Sequence, residues 1–230
     1  MIHPIEQLIT SEVPRPLKSL EQLSVDLEFT KPKVVIHISD PEVIVFSDVF
    51  TSLECEVLVS LMQPNLVPSF VFDNNTGGNI LDSARTSKGA VFRRGENPII
   101  DSLDERLAVL CNWPLNKTEQ MQFLQYEKGE RYIPHYDFFH LHQSGSKETV
   151  ESFGNRVATI IVYLQEPEEG GSTFFPDLNL RVNPVRGSAV FFSYNRPDPN
   201  TRTLHSGEPV ISGTKCIATK WFRERQYQEI

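Results

Sequence analysis

No apolar run in this sequence approaches the roughly 20 residues needed to cross a bilayer, so no membrane-spanning helix is expected. Cysteine is scarce. Cys55, Cys111 and Cys216 are too few and too scattered for a disulfide framework or a zinc ribbon, and their apolar neighbours describe reduced, buried thiols. The opening stretch MIHPIEQLITSEVPRP puts a glutamate where a secretory leader would be apolar. These features lead us to expect a protein of the reducing cytoplasm. Basic charge is in deficit: 22 Lys and Arg face 30 Asp and Glu, a formal charge of −8. That balance speaks against a nucleic-acid-binding surface and leaves a neutral or basic peptide open as a partner. The sequence holds no low-complexity tract, no internal repeat and no Gly-rich phosphate loop. Gly170-Gly171 stands before a strand, not a helix, and reads as a tight turn. Oligomeric state is not legible.

What is present divides into two parts. Residues 1–40 are interrupted by Pro4, Pro14, Pro16 and Pro32, with at most a short amphipathic turn around Leu17, Leu20 and Leu23. They read as an N-terminal extension packed on a domain spanning 41–230. In that domain VIVFSDVF reads as a strand leading into a capping box, Thr51-x-x-Glu54, which opens the helix ECEVLVSLM. A second helix starts at Asn97-Pro98, carries Ile100, Leu103, Leu107 and Leu110 on one face, and ends before Trp113-Pro114. Asn74 to Gly78 reads as a turn.

After Gln120 the helical period gives way to short β-rich runs: MQFLQY, YIPHYDFF, RVATIIVYL, GSTFF, NLRV, SAVFFSY and CIATKWF. Helices ahead of a β-rich half predict an α+β chain whose core is an antiparallel jelly roll. The stretch from His140 to Phe153 is polar and reads as a loop.

Within the extended run Tyr132 to Phe139, His135 and Asp137 are two residues apart. A strand would point them to one face, with Tyr136 turned away. An imidazole and a carboxylate side by side at an interior position are expensive unless something such as a metal uses them. His205, in Thr203-Leu204-His205-Ser206-Gly207, is the one histidine of the C-terminal half beyond that cluster. Two nitrogens and one oxygen on one face of an octahedron suit iron(II). A rival zinc-like trio, His135, His140 and His142, is awkward, since on one strand the latter two share the face opposite His135. Lys215, in KCIATKW, is an odd residue for a β core unless a ligand brings a carboxylate to its ammonium.

Taken in order, Tyr126, His135-x-Asp137, Asn155-Arg156, Gly170-Gly171-x-Thr173-x-Phe175-Pro176, Gly187, His205-x-Gly207-x-Pro209-Val210, Lys215 and Trp221-Phe222 resemble the collagen-type prolyl 4-hydroxylase catalytic domain. The arginine-threonine-serine segment Arg85-Thr86-Ser87 is similar too, and the likeness runs from about Pro41 to the end. It implies a double-stranded β-helix (jelly-roll) core with supporting N-terminal helices. It also implies iron(II), 2-oxoglutarate and O2 as cofactors, with bound ascorbate as reductant. His135, Asp137 and His205 would hold the metal. Tyr126, Thr159 and Lys215 would contact 2-oxoglutarate, with Lys215 on its distal carboxylate. Tyr132, Arg156 and Trp221 would line the substrate channel. The implied reaction hydroxylates a prolyl residue in a peptide or protein and decarboxylates 2-oxoglutarate to succinate and CO2. Oxygen-sensing relatives carry arginine where Lys215 stands, which weighs against that group. Two other readings stay open: a hydroxylase of a free amino acid or other small molecule, and a catalytically silent jelly-roll binding module.

Overall fold

Strands with both faces buried dictate the architecture of the computed structural model, which describes residues 11–16, 31–73 and 76–228. In chain order they begin with Lys33–Ser39 (β1), Glu42–Ser47 (β2), Val67–Pro68 (β3), Val71–Phe72 (β4), Asn79–Ile80 (β5) and Lys88–Val91 (β6). Next come Gln122–Tyr126 (β7), Tyr132–His135 (β8), Arg156–Gln165 (β9), Glu169–Gly170 (β10), Thr173–Phe175 (β11) and Leu180–Val182 (β12). Ala189–Ser193 (β13), His205–Gly207 (β14), Val210–Ser212 (β15) and Lys215–Arg223 (β16) complete the set. Eight of them form one sheet in the order β1-β2-β13-β9-β16-β7-β6-β3, and four form a second, β12-β11-β14-β8.

The large sheet separates two cores. Ile44, Phe46, Phe123, Ala158, Ile160, Val162, Phe191, Ala218 and Phe222 face a helical layer. The alternate residues Val43, Val45, Leu124, Ile161, Tyr163, Val190, Phe192 and Ile217 pack with Phe175 and Val182 of the small sheet. This is why VATIIVYL reads as a nearly continuous apolar run: from Val157 to Leu164 every side chain is buried on one face or the other. The expected jelly roll with supporting helices is the fold observed.

The helical layer comes from Ser52–Met62 (α1) and Pro98–Leu110 (α2). Thr51 and Glu54 form the reciprocal capping box, and Asn97 Oδ1 accepts from the amides of Ile99 and Ile100. Arg106 of α2 clamps Glu54 through two hydrogen bonds of 3.0 and 2.7 Å, joining the start of α1 to the later half of α2.

Three expectations are adjusted. Lys33–Ser39, ahead of position 40, joins the large sheet as its edge strand by pairing with β2. The polar stretch 140–153 is not all loop: Ser146–Phe153 forms a helix, α3, ending at Gly154 in the left-handed region (φ 70°). It is polar because one side faces solvent and the other a cavity, leaving Val150 and Phe153 as its apolar side chains. Finally, β8 stops at His135, leaving Asp137 on a bend just past its end. The turn expected around Leu17, Leu20 and Leu23 lies outside the described residues.

Candidate active site

The register of the small sheet brings the first two ligand candidates together. His205 on β14 is the cross-strand partner of His135 on β8, and their ring centroids are 4.3 Å apart. In each ring Nδ1 donates to a backbone carbonyl two residues earlier, His135 to Ile133 (2.9 Å) and His205 to Thr203 (3.0 Å). Both Nε2 atoms are thereby left as acceptors aimed at Asp137, at 3.6 Å from Oδ1 for His135 and 3.7 Å from Oδ2 for His205. One ligand atom from each of the three residues lies within 4.8 Å of the others. Tyr132 stacks on His135 at 3.6 Å, fixing that ring's plane.

The donors fit a ferrous ion. Backbone carbonyls hold the tautomer that presents Nε2, the usual orienting device for metal-binding histidines. Burial pushes His205 down to about 4, so its imidazole is neutral at neutral pH and keeps its lone pair. Burial opposes the charge on Asp137, but facing His205 and His135, with Arg156 nearby, more than offset it and hold the carboxyl well below its usual range. Among the described residues no Lys or Arg comes within ion-pair distance of that carboxylate, so no direct counter-cation closes on it. A divalent ion would supply one, and an N2O set with an open side is the arrangement suited to iron(II).

All three open into a cavity of about 860 Å³ between the sheets, which Tyr126, Tyr132, Arg156, Lys215 and Trp221 also line. Lys215 begins β16 opposite Tyr126 on β7 and is 3% exposed. Its Nζ donates to the Gly171 carbonyl at 2.6 Å and has no carboxylate partner among the described residues. Burial draws its pKa down to about 8, with Glu208 opposing. Gly171 is required here: it adopts φ 70°, and a Cβ on it would lie 3.1 Å from the Lys215 side chain.

Arg156 is no surface charge. Its guanidinium makes a two-pronged pair with Glu119 (2.6 and 2.7 Å) and lies 3.9 Å over the Trp221 ring. Thr159 has a partner that its sequence context does not reveal. Its hydroxyl, fully buried on β9, donates to Asp137 Oδ2 at 2.6 Å and sits 2.9 Å from the Tyr194 hydroxyl. Its one O–H is thereby committed to Asp137, which it supports.

The comparisons with known proteins agree with this geometry. The family model for the 2OG-Fe(II) oxygenase superfamily matches residues 121–223, the span holding all of these side chains except Glu119. Prolyl 4-hydroxylase 1 of Arabidopsis thaliana is 35% identical over 214 residues, covering 85% of this chain and 72% of that protein. Prolyl 4-hydroxylase 5 of the same plant is 32% identical over 241 residues, with 95% and 81% covered. The chain belongs to the prolyl 4-hydroxylase family of 2OG-Fe(II) oxygenases. Among solved structures, the viral collagen prolyl hydroxylase of Paramecium Bursaria Chlorella virus-1, in its 2OG complex, superposes with a TM-score of 0.59. It is 28% identical, over 78% of this chain and 94% of that one. The family supports iron(II), 2-oxoglutarate and O2 as the cofactors of the oxygenase site.

Sequence reasoning missed the side chains that hold the prolyl 4-hydroxylase site residues in place. Glu119 and Tyr194 lie far in sequence from the groups they orient, and no local pattern marks them. Arg223, buried in the cavity wall, had a faint signal: it follows Trp221 by two residues and so shares its face of β16.

Proposed function

We propose that this chain hydroxylates a prolyl residue in a peptide or protein, consuming O2 and 2-oxoglutarate and releasing succinate and CO2. The observation that carries the reading is one cavity into which His135, Asp137, His205 and an unpaired, buried Lys215 all open. The names of the relatives, prolyl 4-hydroxylases at 32% and 35% identity, support proline as the target.

In this reading His135 Nε2, Asp137 and His205 Nε2 hold iron(II). Thr159 and Tyr194 keep the carboxylate turned toward it. When bound, iron(II) with 2-oxoglutarate would supply the activation of O2, one atom of which ends in succinate and the other in the hydroxylated product. Lys215 pairs with the far carboxylate of 2-oxoglutarate, beside the Tyr126 ring 5.3 Å away. Tyr132, Arg156 and Trp221 form the wall along which a substrate chain lies, with Glu119 locking Arg156 in position. Lys215 is buried, and removal from water strengthens the ammonium–carboxylate pair. Ascorbate serves as reductant for the resting iron, and the three buried free thiols suit a reducing cytoplasm.

A second reading, hydroxylation of a free amino acid or other small molecule, has one observation in its favour. Gly77, just ahead of β5, meets Gly145, just ahead of α3, on the cavity rim, so closely that a Cβ on Gly77 would lie 2.8 Å from the Gly145 carbonyl. The test is a panel of proline-rich peptides and free proline, incubated with iron(II), 2-oxoglutarate and ascorbate and read by mass spectrometry. Gain of one oxygen atom by a peptide, with stoichiometric succinate, is the expected result. Gain by free proline alone would replace it with the second reading.

A further inference from the structure

One face of β16 forms a wall of the cavity from end to end. Lys215, Ile217, Thr219, Trp221 and Arg223 line it, whereas Cys216, Ala218 and Phe222 point into the helical core. At about 3.3 Å per residue that face runs on the order of 25 Å, far longer than 2-oxoglutarate. Lys215 stands at one end and Arg223 at the other.

The Arg223 end carries charge and donors that the protein does not satisfy. Arg223 is 1% exposed; its Nη2 donates to Thr149 Oγ1 of α3 at 2.8 Å, but Nη1 has no hydrogen-bond partner. Its Nε is 3.4 Å from Glu119 Oε1, an ion pair without hydrogen-bond geometry. Both oxygens of that glutamate already receive hydrogen bonds from Arg156. Two guanidiniums therefore share one carboxylate, and Arg223 is the one left without a hydrogen-bonded anion. Phe139, Phe153 and Tyr227 surround the Arg223 guanidinium, with ring centroids at 4.9, 5.8 and 5.6 Å, excluding water without supplying a counter-charge. Trp221, on the same face, has its indole Nε1 buried and without an acceptor. Buried donors without acceptors, two of them on a guanidinium, are unfavourable when left alone, and an anion from outside would relieve them.

On the prolyl hydroxylase reading above, we propose that Arg223 and Trp221 form an anion-accepting subsite that selects peptides carrying a carboxylate near the target proline. Lys215 and Arg223 would then receive the carboxylates of two different molecules at opposite ends of one strand, 2-oxoglutarate at the first and the peptide at the second. The carboxylate has two sources in a peptide, an Asp or Glu side chain or the free C-terminus.

The test uses the full chain and single-proline peptides with amidated C-termini, in which one Glu or its Gln isostere is moved through the positions flanking the proline. A matched neutral peptide is assayed with a free and an amidated C-terminus. At one position the wild type should show kcat/KM roughly tenfold higher for Glu than for Gln, chiefly through KM, as a charge-assisted hydrogen bond implies. A preference for the free C-terminus, with none at internal positions, would assign the same subsite to chain ends. Arg223→Met should bring the acid-to-amide ratio close to one, and Arg223→Lys should keep part of it. Equal rates for acid and amide throughout, measured on the wild type alone, would overturn the subsite, as would a preference undiminished in Arg223→Met. Hydroxylation of neutral peptides without acid preference would remove only this inference. Failure to hydroxylate any peptide would remove the prolyl reading with it.

Discussion

Thr159 Oγ1 donates to Asp137 Oδ2 across 2.6 Å, so a strand of the large sheet fixes the carboxylate that faces two histidines of the small one. Tyr194 stands behind it, 2.9 Å from the same hydroxyl. Loss of such an orienting bond typically weakens metal binding about 10- to 100-fold. Thr159→Val, which keeps the side-chain shape, should show that loss in a Mn(II) titration of the metal-free protein, and Thr159→Ser should recover most of it. Equal affinity in Thr159→Val and the wild type would exclude this role.

Lys215 gives a pH prediction with a definite sign. Burial holds its pKa down to about 8, so below that pH the ammonium is present, and above it the empty site loses its charge. A carboxylate bound beside it favours the charged form and raises that pKa. The affinity for 2-oxoglutarate should therefore be flat below about pH 8 and fall by up to tenfold per unit above it. Lys215→Arg, which stays charged throughout, should flatten that fall. Dissociation constants measured anaerobically across about pH 7 to about pH 9 check this; a profile with no break in the wild type would remove Lys215 from the carboxylate site.

The Arg156–Glu119 pair is buried and hydrogen-bonded twice, whereas Arg186–Glu56 is exposed, with side chains 37% and 62% accessible. Glu119→Gln leaves two buried guanidiniums without a counter-charge and should cost about 3–5 kcal/mol. Glu56→Gln should change stability by less than about 1 kcal/mol. Thermal or denaturant unfolding of both variants tests the contrast, and a small loss for Glu119→Gln would show that Arg223 and Arg156 are neutralised otherwise.

Much of this was legible because local spacing carried it. The capping box at Thr51, the cap at Asn97, the His-x-Asp pair and a lysine inside an apolar strand are each written within a few residues. The limits lie where partners come from different strands. Nothing near Thr159 says that its hydroxyl turns to Asp137, and nothing near Arg156 names Glu119, because sheet register sets both meetings. Helix α3 escaped notice for another reason. Val150 and Phe153 are its apolar side chains, too few to make the long apolar face that marks α2.

Iron binding tests the central claim most directly. Metal-free wild type, His135→Ala and His205→Ala would be equilibrated anaerobically with iron(II) and 2-oxoglutarate, separated from free ligand, and assayed for both. The wild type should retain one iron and one 2-oxoglutarate per chain, and each variant should lose both together. Undiminished iron in either variant would contradict the metal centre described here.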